Sequence, residues 1–203
     1  MICIVTGDIV GSRKIKDSWL LSLKSALKLV SEPNNKWEIY RGDSFQIQIE
    51  PEKAIINVAY LKACIRINKP ADVRMGIGIG EVKTKRKKLS ESNGDAFTYS
   101  GLAFDSLKQS KVNLAIKTSF SEFDEEINVM LKLALIAMDS WGIVAAEMVK
   151  LALENENAVQ SELAMISGRT QSSVSEALKR AHFSEIMEMD KLYRKKINLL
   201  MAK

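Results

Sequence analysis

The stretch from Trp37 to Ile49, Trp-Glu-Ile-Tyr-Arg-Gly-Asp-Ser-Phe-Gln-Ile-Gln-Ile, restricts the fold more than any other segment of this chain. Apolar residues alternate with polar ones on both sides of Gly42-Asp43, the period of two that a β-strand imposes. Gly42 supplies the positive φ that a tight hairpin turn needs. Two short strands joined at Gly42-Asp43 are therefore expected, with the Asp43 carboxylate at the tip. An Asp in a turn commonly serves the turn alone. Its chemistry depends on a second carboxylate, and the candidate is Asp8, at the end of the run Cys3-Ile4-Val5-Thr6-Gly7-Asp8.

The flanking segments place the hairpin in an α/β (α+β) fold. Residues 2 to 8 are a nearly continuous apolar run, as in a strand buried on both faces. Asp17 and Ser18 suit the cap of a helix to about Ser31, which Pro33-Asn34-Asn35 ends. Pro51 opens a second helix to about residue 67. Val73 to Val82 follows as a strand whose Gly76, Gly78 and Gly80 share one face, where another backbone or a ligand can approach closely. The spacing G-x-G-x-G with no helix opening from it excludes a dinucleotide-binding loop. Lys83 to Lys88 is a basic run, read as solvated or as a phosphate contact. A helix over about 96–108 and a strand over 112–118 complete this part.

The initial order β-α-β-β-α-β is the split βαβ pattern of a ferredoxin-like sheet. It sets the first and third strands side by side, so that Asp8 meets Asp43. Two converging carboxylates suit a hard cation such as magnesium. The alternative is that Asp8 caps a loop and Asp43 shapes its turn.

From Ser119 the pattern is all-helical. Two units are expected, residues 1–118 and 119–203. Within the second, residues 158–180 carry a helix-turn-helix pattern: a first helix over 161–167, Gly168 at the turn and a second helix over 170–180. Ala164 is small where the helices cross, and Leu163, Val174 and Leu178 fill the core between them. Thr170, Gln171, Ser172, Ser173 and Ser175 are then the candidates to face DNA, with Lys179 and Arg180 for phosphate contacts. An ordinary helical hairpin is the competing explanation. A final helix near the C-terminus carries an apolar stripe that packs internally or on a second subunit.

Composition removes several function classes. One histidine and two scattered cysteines exclude a zinc site. Cys3 and Cys64 lie in apolar contexts, which suits reduced core thiols and a cytoplasmic location. No run is long enough to span a bilayer. The net charge of +5 is uneven: from Ser119 onward ten Lys/Arg stand against thirteen Asp/Glu, leaving twenty against twelve before it. Phosphate-rich ligands would use that excess, and solubility alone also accounts for it.

Three segments, Gly7-Asp8-Ile9-Val10-Gly11-Ser12, Arg41-Gly42-Asp43-Ser44-Phe45 and Arg74-Met75-Gly76-Ile77-Gly78-Ile79-Gly80, resemble in order the landmarks of class III nucleotidyl cyclases; Gly94-Asp95-Ala96-Phe97 is similar to their later Gly-Asp segment. With a C-terminal helix-turn-helix, the combination is similar to SatD-type proteins of bacteria. The resemblance implies a nucleoside triphosphate site. Asp8 and Asp43, with the Ile9 carbonyl, would hold magnesium, while the backbone of Val10, Gly11 and Ser12, with Arg13 and Lys14, would cradle phosphate. Cyclases follow their later Gly-Asp segment with a helix bearing Asn and, four residues on, an Arg that stabilises the transferring phosphoryl group. Residues 98–108 hold no such pair, which favours binding over turnover. The expectation is thus a DNA-binding transcriptional regulator with a degenerate cyclase-like module for nucleotide, magnesium or dimerisation, acting as a homodimer. The alternatives are a divergent cyclase or other metal-dependent nucleotidyl or phosphoryl transferase, and a non-catalytic protein-interaction module.

Overall fold

The computed structural model describes residues 1–12, 18–32, 36–84 and 88–202. In chain order the elements are β1 (Ile2–Val10), α1 (Ser18–Ser31), β2 (Trp37–Tyr40), β3 (Ser44–Ile49), α2 (Ala54–Arg66), β4 (Asp72–Gly80), β5 (Val82–Thr84), β6 (Asn93–Gly94), α3 (Asp95–Ser110), β7 (Leu114–Lys117), α4 (Ser121–Met138), α5 (Ile143–Glu154), α6 (Gln160–Ser167), α7 (Gln171–Arg180) and α8 (Phe183–Met201). Pro51 opens a short 3-10 turn, Pro51–Lys53, rather than the helix itself, and α2 follows directly.

The main sheet has five strands in the order β2-β3-β1-β4-β7. Its first four strands pair antiparallel and β7 adds to β4 in parallel, so this is a mixed α/β fold. As expected from the β-α-β-β-α-β order, β1 and β3 are neighbours, with Asp8 opposite Ser44. The hairpin loop spans residues 41–43, because Tyr40 pairs with Ser44. Both Arg41 (φ 53°) and Gly42 (φ 88°) lie in the left-handed region, so the strain-free conformation of Gly42 is matched by a non-glycine beside it.

Alternation sorts each strand onto two faces. Cys3, Val5, Phe45, Ile47, Ile77 and Ile79 point to one side, where α1 and α2 close a buried core. The opposite face receives α3. The glycines of β4 explain how closely it sits: a Cβ at Gly78 would stand 2.1 Å from the Ser100 nitrogen, and one at Gly76 2.3 Å from that of Phe104. The glycine face is thus filled by the α3 backbone. Beyond Gly80 the chain forms a small two-stranded ladder of β5 with β6. The basic run falls partly on it: Lys83 pairs with Asp95, and residues 85–87 lie outside the described ones.

The change of character at Ser119 is a change of secondary structure, and the core does not stop there. Phe123, Leu131, Trp141, Val149, Tyr193 and Ile197 belong to the same buried cluster as the sheet. Polar contacts tie the parts further. Lys62 of α2, 1% exposed, reaches Asp72 at 2.7 Å and Asp139 at 2.6 Å. Arg66 donates to the carbonyls of Asp139 and Trp141, both at 2.7 Å through Nη2. The Tyr193 hydroxyl donates to the Pro51 carbonyl at 2.6 Å. A second, smaller cluster joins α5, α6 and α7. Both cysteines are free and buried, and burial pushes the Cys64 thiol up to about 12, so neither is a reactive thiolate near neutral pH. Among the described residues, no helix is long and apolar enough to cross a membrane.

Candidate functional site

Residues directly opposite in an antiparallel pair share a face. Thr6 is opposite Gln46 and Gly76, and Asp8 is opposite Ser44 and Arg74. Glu38 faces Gln46 and Tyr40 faces Ser44. One side of the sheet therefore collects Glu38, Tyr40, Ser44, Gln46, Thr6, Asp8 and Arg74. All are half-buried, because α3 packs over β1, β4 and β7 and leaves β2 and β3 less covered. Hydrogen bonds link part of this surface: Gln46 Nε2 donates to Thr6 Oγ1 at 3.1 Å, and Thr6 Oγ1 lies 3.0 Å from Ser100 Oγ on α3. The Glu38 carboxylate accepts from the Leu89 amide at 2.9 Å.

The two aspartates converge, as the order of strands demanded. The Asp43 carbonyl accepts from the Ile9 amide at 3.0 Å, which joins the hairpin tip to the end of β1. Asp43 Oδ2 accepts from the Ser12 hydroxyl at 2.8 Å. Asp8 meets a cation that belongs to the protein. Arg74 donates from Nε to Asp8 Oδ1 at 2.9 Å and from Nη2 to Oδ2, a two-pronged pair. The hydrogen bond to Asp8 raises the Arg74 pKa, partly offset by burial and helped by the charges of Asp8 and Asp43. The Tyr40 phenol is also raised, first by burial, against the pull of Arg41 and with the Asp8 charge adding to the rise.

This geometry bears directly on a metal. Both Asp8 oxygens are engaged by the guanidinium, and among the described residues no group of three or more His, Cys, Asp or Glu side chains gathers to hold an ion. A magnesium ion here must share Asp8 with Arg74 or displace it. Of the phosphate-binding candidates, Gly11 turns the chain at φ 80°, Ser12 is committed to Asp43, and Val10 is 38% exposed. Arg13 and Lys14 lie outside the described residues. The role of Arg74 was not legible from its own segment. The available signal was a lone Arg interrupting an apolar and glycine strand, at the position whose antiparallel partner is Asp8. The polar face of β3 had a clearer one, the alternation Ser44, Gln46, Gln48 against Phe45, Ile47, Ile49.

The second candidate region lies on α5, α6 and α7. Gly168 adopts φ 64° and ends α6, and Thr170 caps α7 by accepting from the Ser173 amide at 3.2 Å. Val174, Ala177 and Leu178 are buried against Met148, Leu163 and Ala164. Thr170, Gln171, Ser172, Lys179 and Arg180 are exposed, and Ser173 and Ser175 are half-buried. Arg169 pairs with Glu147 of α5 at 2.9 Å, which holds the turn to its support.

No curated protein and no solved structure matches the chain. The family model for the SatD family matches residues 2–194, nearly the whole length, and the chain belongs to the SatD family.

Proposed function

We propose that this protein is a DNA-binding transcriptional regulator in which α6 and α7 act as a helix-turn-helix and the sheet part, a ferredoxin-like unit similar to a cyclase module, binds a nucleotide without turning it over. The observation that carries the DNA-binding half is the division of α7 into two faces. Val174, Ala177 and Leu178 anchor it, while Gln171, Ser172, Lys179 and Arg180 stand in solvent on one side. Hydrogen-bonding side chains near the N-terminus of a supported helix suit base edges, and the basic pair at its end suits phosphates. The acidic balance from Ser119 onward weakens long-range attraction to DNA, so a paired arrangement of two copies serves this reading better than one.

The nucleotide-binding half rests on the half-buried polar face around Asp8, Asp43, Arg74 and Tyr40. Arg74 is a fixed donor fork beside the hairpin tip and suits an anionic group. Magnesium would enter with the nucleotide, drawing Asp8 away from Arg74 and leaving the guanidinium to the phosphates. Residues 98–108 offer no Arg in the place where cyclases stabilise transferred charge, so ligand binding, rather than cyclisation, is the function assigned to this face.

Fluorescence anisotropy against a randomised duplex pool tests the first half. Enrichment of a defined sequence, lost in Gln171→Ala and weakened across all sequences in Lys179→Ala/Arg180→Ala, is expected. Wild-type protein that enriches nothing defeats it. Calorimetry with each nucleoside triphosphate and magnesium tests the second. Heat that disappears in Asp43→Ala is expected, and no heat with any of them defeats nucleotide binding.

A further inference from the structure

Among the described residues, three that are not glycine adopt the left-handed backbone conformation: Arg41 (φ 53°), Lys111 (φ 52°) and His182 (φ 51°). Two of them end helices. The Lys111 amide donates to the Leu107 carbonyl after α3, and the His182 amide donates to the Lys179 carbonyl after α7. Each therefore makes the kind of hydrogen bond that favours this conformation at a helix end. Arg41 is at no helix end. It opens the three-residue loop of the β2–β3 hairpin and is followed by Gly42 at φ 88°. Gly and Asn hold such a position most easily: a Cβ crowds the following carbonyl oxygen, which glycine avoids and the short Asn side chain offsets by bonding locally. An arginine has neither advantage, and the turn would form more easily without it.

The surroundings of Arg41 indicate what the side chain does instead. The tip it occupies is fastened to the end of β1. The Asp43 carbonyl accepts from the Ile9 amide at 3.0 Å, and the Asp43 carboxylate accepts from the Ser12 hydroxyl at 2.8 Å. The tip thus stands beside the Val10–Ser12 segment, which carries the phosphate-binding candidates. The charge of Arg41 is felt on the polar face of the sheet. The Tyr40 phenol, raised first by burial, is pulled down by Arg41 and raised again by Asp8, so the three groups share one corner. Asp8 and Arg74 neutralise each other there in their two-pronged pair. Arg41 is exposed and, among the described residues, makes no ion pair. Two guanidiniums therefore flank the tip, one paired and one unpaired.

We propose that Arg41 binds the phosphate chain of the nucleotide, donating from its unpaired guanidinium beside the hairpin tip. This assignment rests on the nucleotide-binding half of the proposed function and adds to it a residue from outside both the aspartate pair and the Val10–Ser12 segment. A pair of phosphate oxygens matches the planar donor fork of an arginine, and no deprotonation removes its charge near neutral pH. The left-handed backbone at Arg41 is then the cost of placing a cation at the tip, a local strain of the kind that persists where a binding site uses it.

Calorimetry of the full chain with magnesium and inorganic triphosphate reads the phosphate contact without a base, and urea denaturation without ligand reads the backbone cost. Arg41→Gln and Arg41→Asn both remove the charge, and only Asn relieves the left-handed conformation. Both replace an exposed side chain and keep the wild-type circular dichroism. Each is expected to raise the dissociation constant about tenfold, as for one lost charge-assisted contact. Arg41→Lys keeps the charge without the fork and falls between them and the wild type. In urea, Arg41→Asn is expected to have a higher midpoint than the wild type and Arg41→Gln is not, so a loss of binding shared by both cannot come from a weakened fold. Triphosphate binding unchanged in both variants overturns the assignment, as does binding lost in Arg41→Gln and kept in Arg41→Asn, which traces the effect to the shape of the turn. A wild type that binds nucleoside triphosphates but not inorganic triphosphate overturns the assignment and leaves the nucleotide reading standing. A wild type that binds neither defeats both. An Arg41→Asn midpoint no higher than that of Arg41→Gln overturns the claim that the arginine is held against its backbone preference.

Discussion

Arg74 on β4 stands directly opposite Asp8 on β1 and holds both oxygens of its carboxylate. The guanidinium is 27% exposed and the carboxylate 20%, so the pair is only partly screened by water. The carboxylate of Asp8, beside the hairpin tip, thus has a resident cation.

Arg74→Gln and Asp8→Asn are each expected to cost about 1–2 kcal/mol, with the double variant costing less than the sum. Urea midpoints for the four proteins of the cycle measure this. Additive costs would show that the pair contributes no coupling. With Arg74 shortened, Asp8 is free for a metal, so magnesium should raise the melting temperature of Arg74→Gln more than that of the wild type.

Two glycines make opposite predictions. Gly78 faces the α3 backbone with no room for a methyl group, so Gly78→Ala is expected to cost about 3 kcal/mol. Gly101 lies inside α3 with open space around it, and Gly101→Ala should stabilise by about 0.5–1 kcal/mol through helix propensity. Chemical denaturation of both variants checks the sign as well as the size.

Lys62 is buried between Asp72 and Asp139, joining α2 to the turn after α4. Removing one partner of a buried ionic group strands the others. Lys62→Met should destabilise by about 3 kcal/mol, and Asp139→Asn by less, because Asp72 still pairs with Lys62 and Asn113 still reaches the neutral side chain at position 139. Thermal melts of the two variants rank them.

Asp190 on α8 is 1% exposed and pairs with Arg194. Burial pushes its carboxyl above the ordinary value, against the pull of Arg194. An acid whose native pKa is raised binds its proton more tightly folded than unfolded. Its ionised form therefore costs stability, and that cost grows as pH rises from the unfolded pKa through the native one. Below both values it vanishes. Asp190→Asn is expected to match or exceed the wild type at neutral pH and to converge on it in acid. Urea midpoints from pH 3 to 7 test this, and a variant weaker at neutral pH than in acid, relative to wild type, would reverse the assignment.

The elements themselves were largely legible. Period-two alternation marked the hairpin and β4, and helical spacing with turn residues marked α1, α2 and the helices after Ser119, because burying one face imposes those periods. Gly168 was readable as the turn for the same local reason, whereas Thr170, read as the first residue of the second helix, is its cap. Boundaries moved by a few residues where a cap or a 3-10 turn decided them, as at Pro51.

The convergence of Asp8 and Asp43 followed from local patterns, since a β-α-β-β-α-β order leaves β1 and β3 few other places. The partner that Asp8 takes did not follow. Arg74 and Asp8 are 66 residues apart, and their meeting depends on the antiparallel register of β1 with β4. The same holds for the glycines, whose empty face is filled by α3, and for the core that crosses Ser119. Local sequence set the hairpin and the position of its carboxylate at the tip. Only the tertiary structure decided that the neighbouring carboxylate would face a guanidinium, because which side chains meet across a sheet is a matter of register, and long-range packing chooses the register.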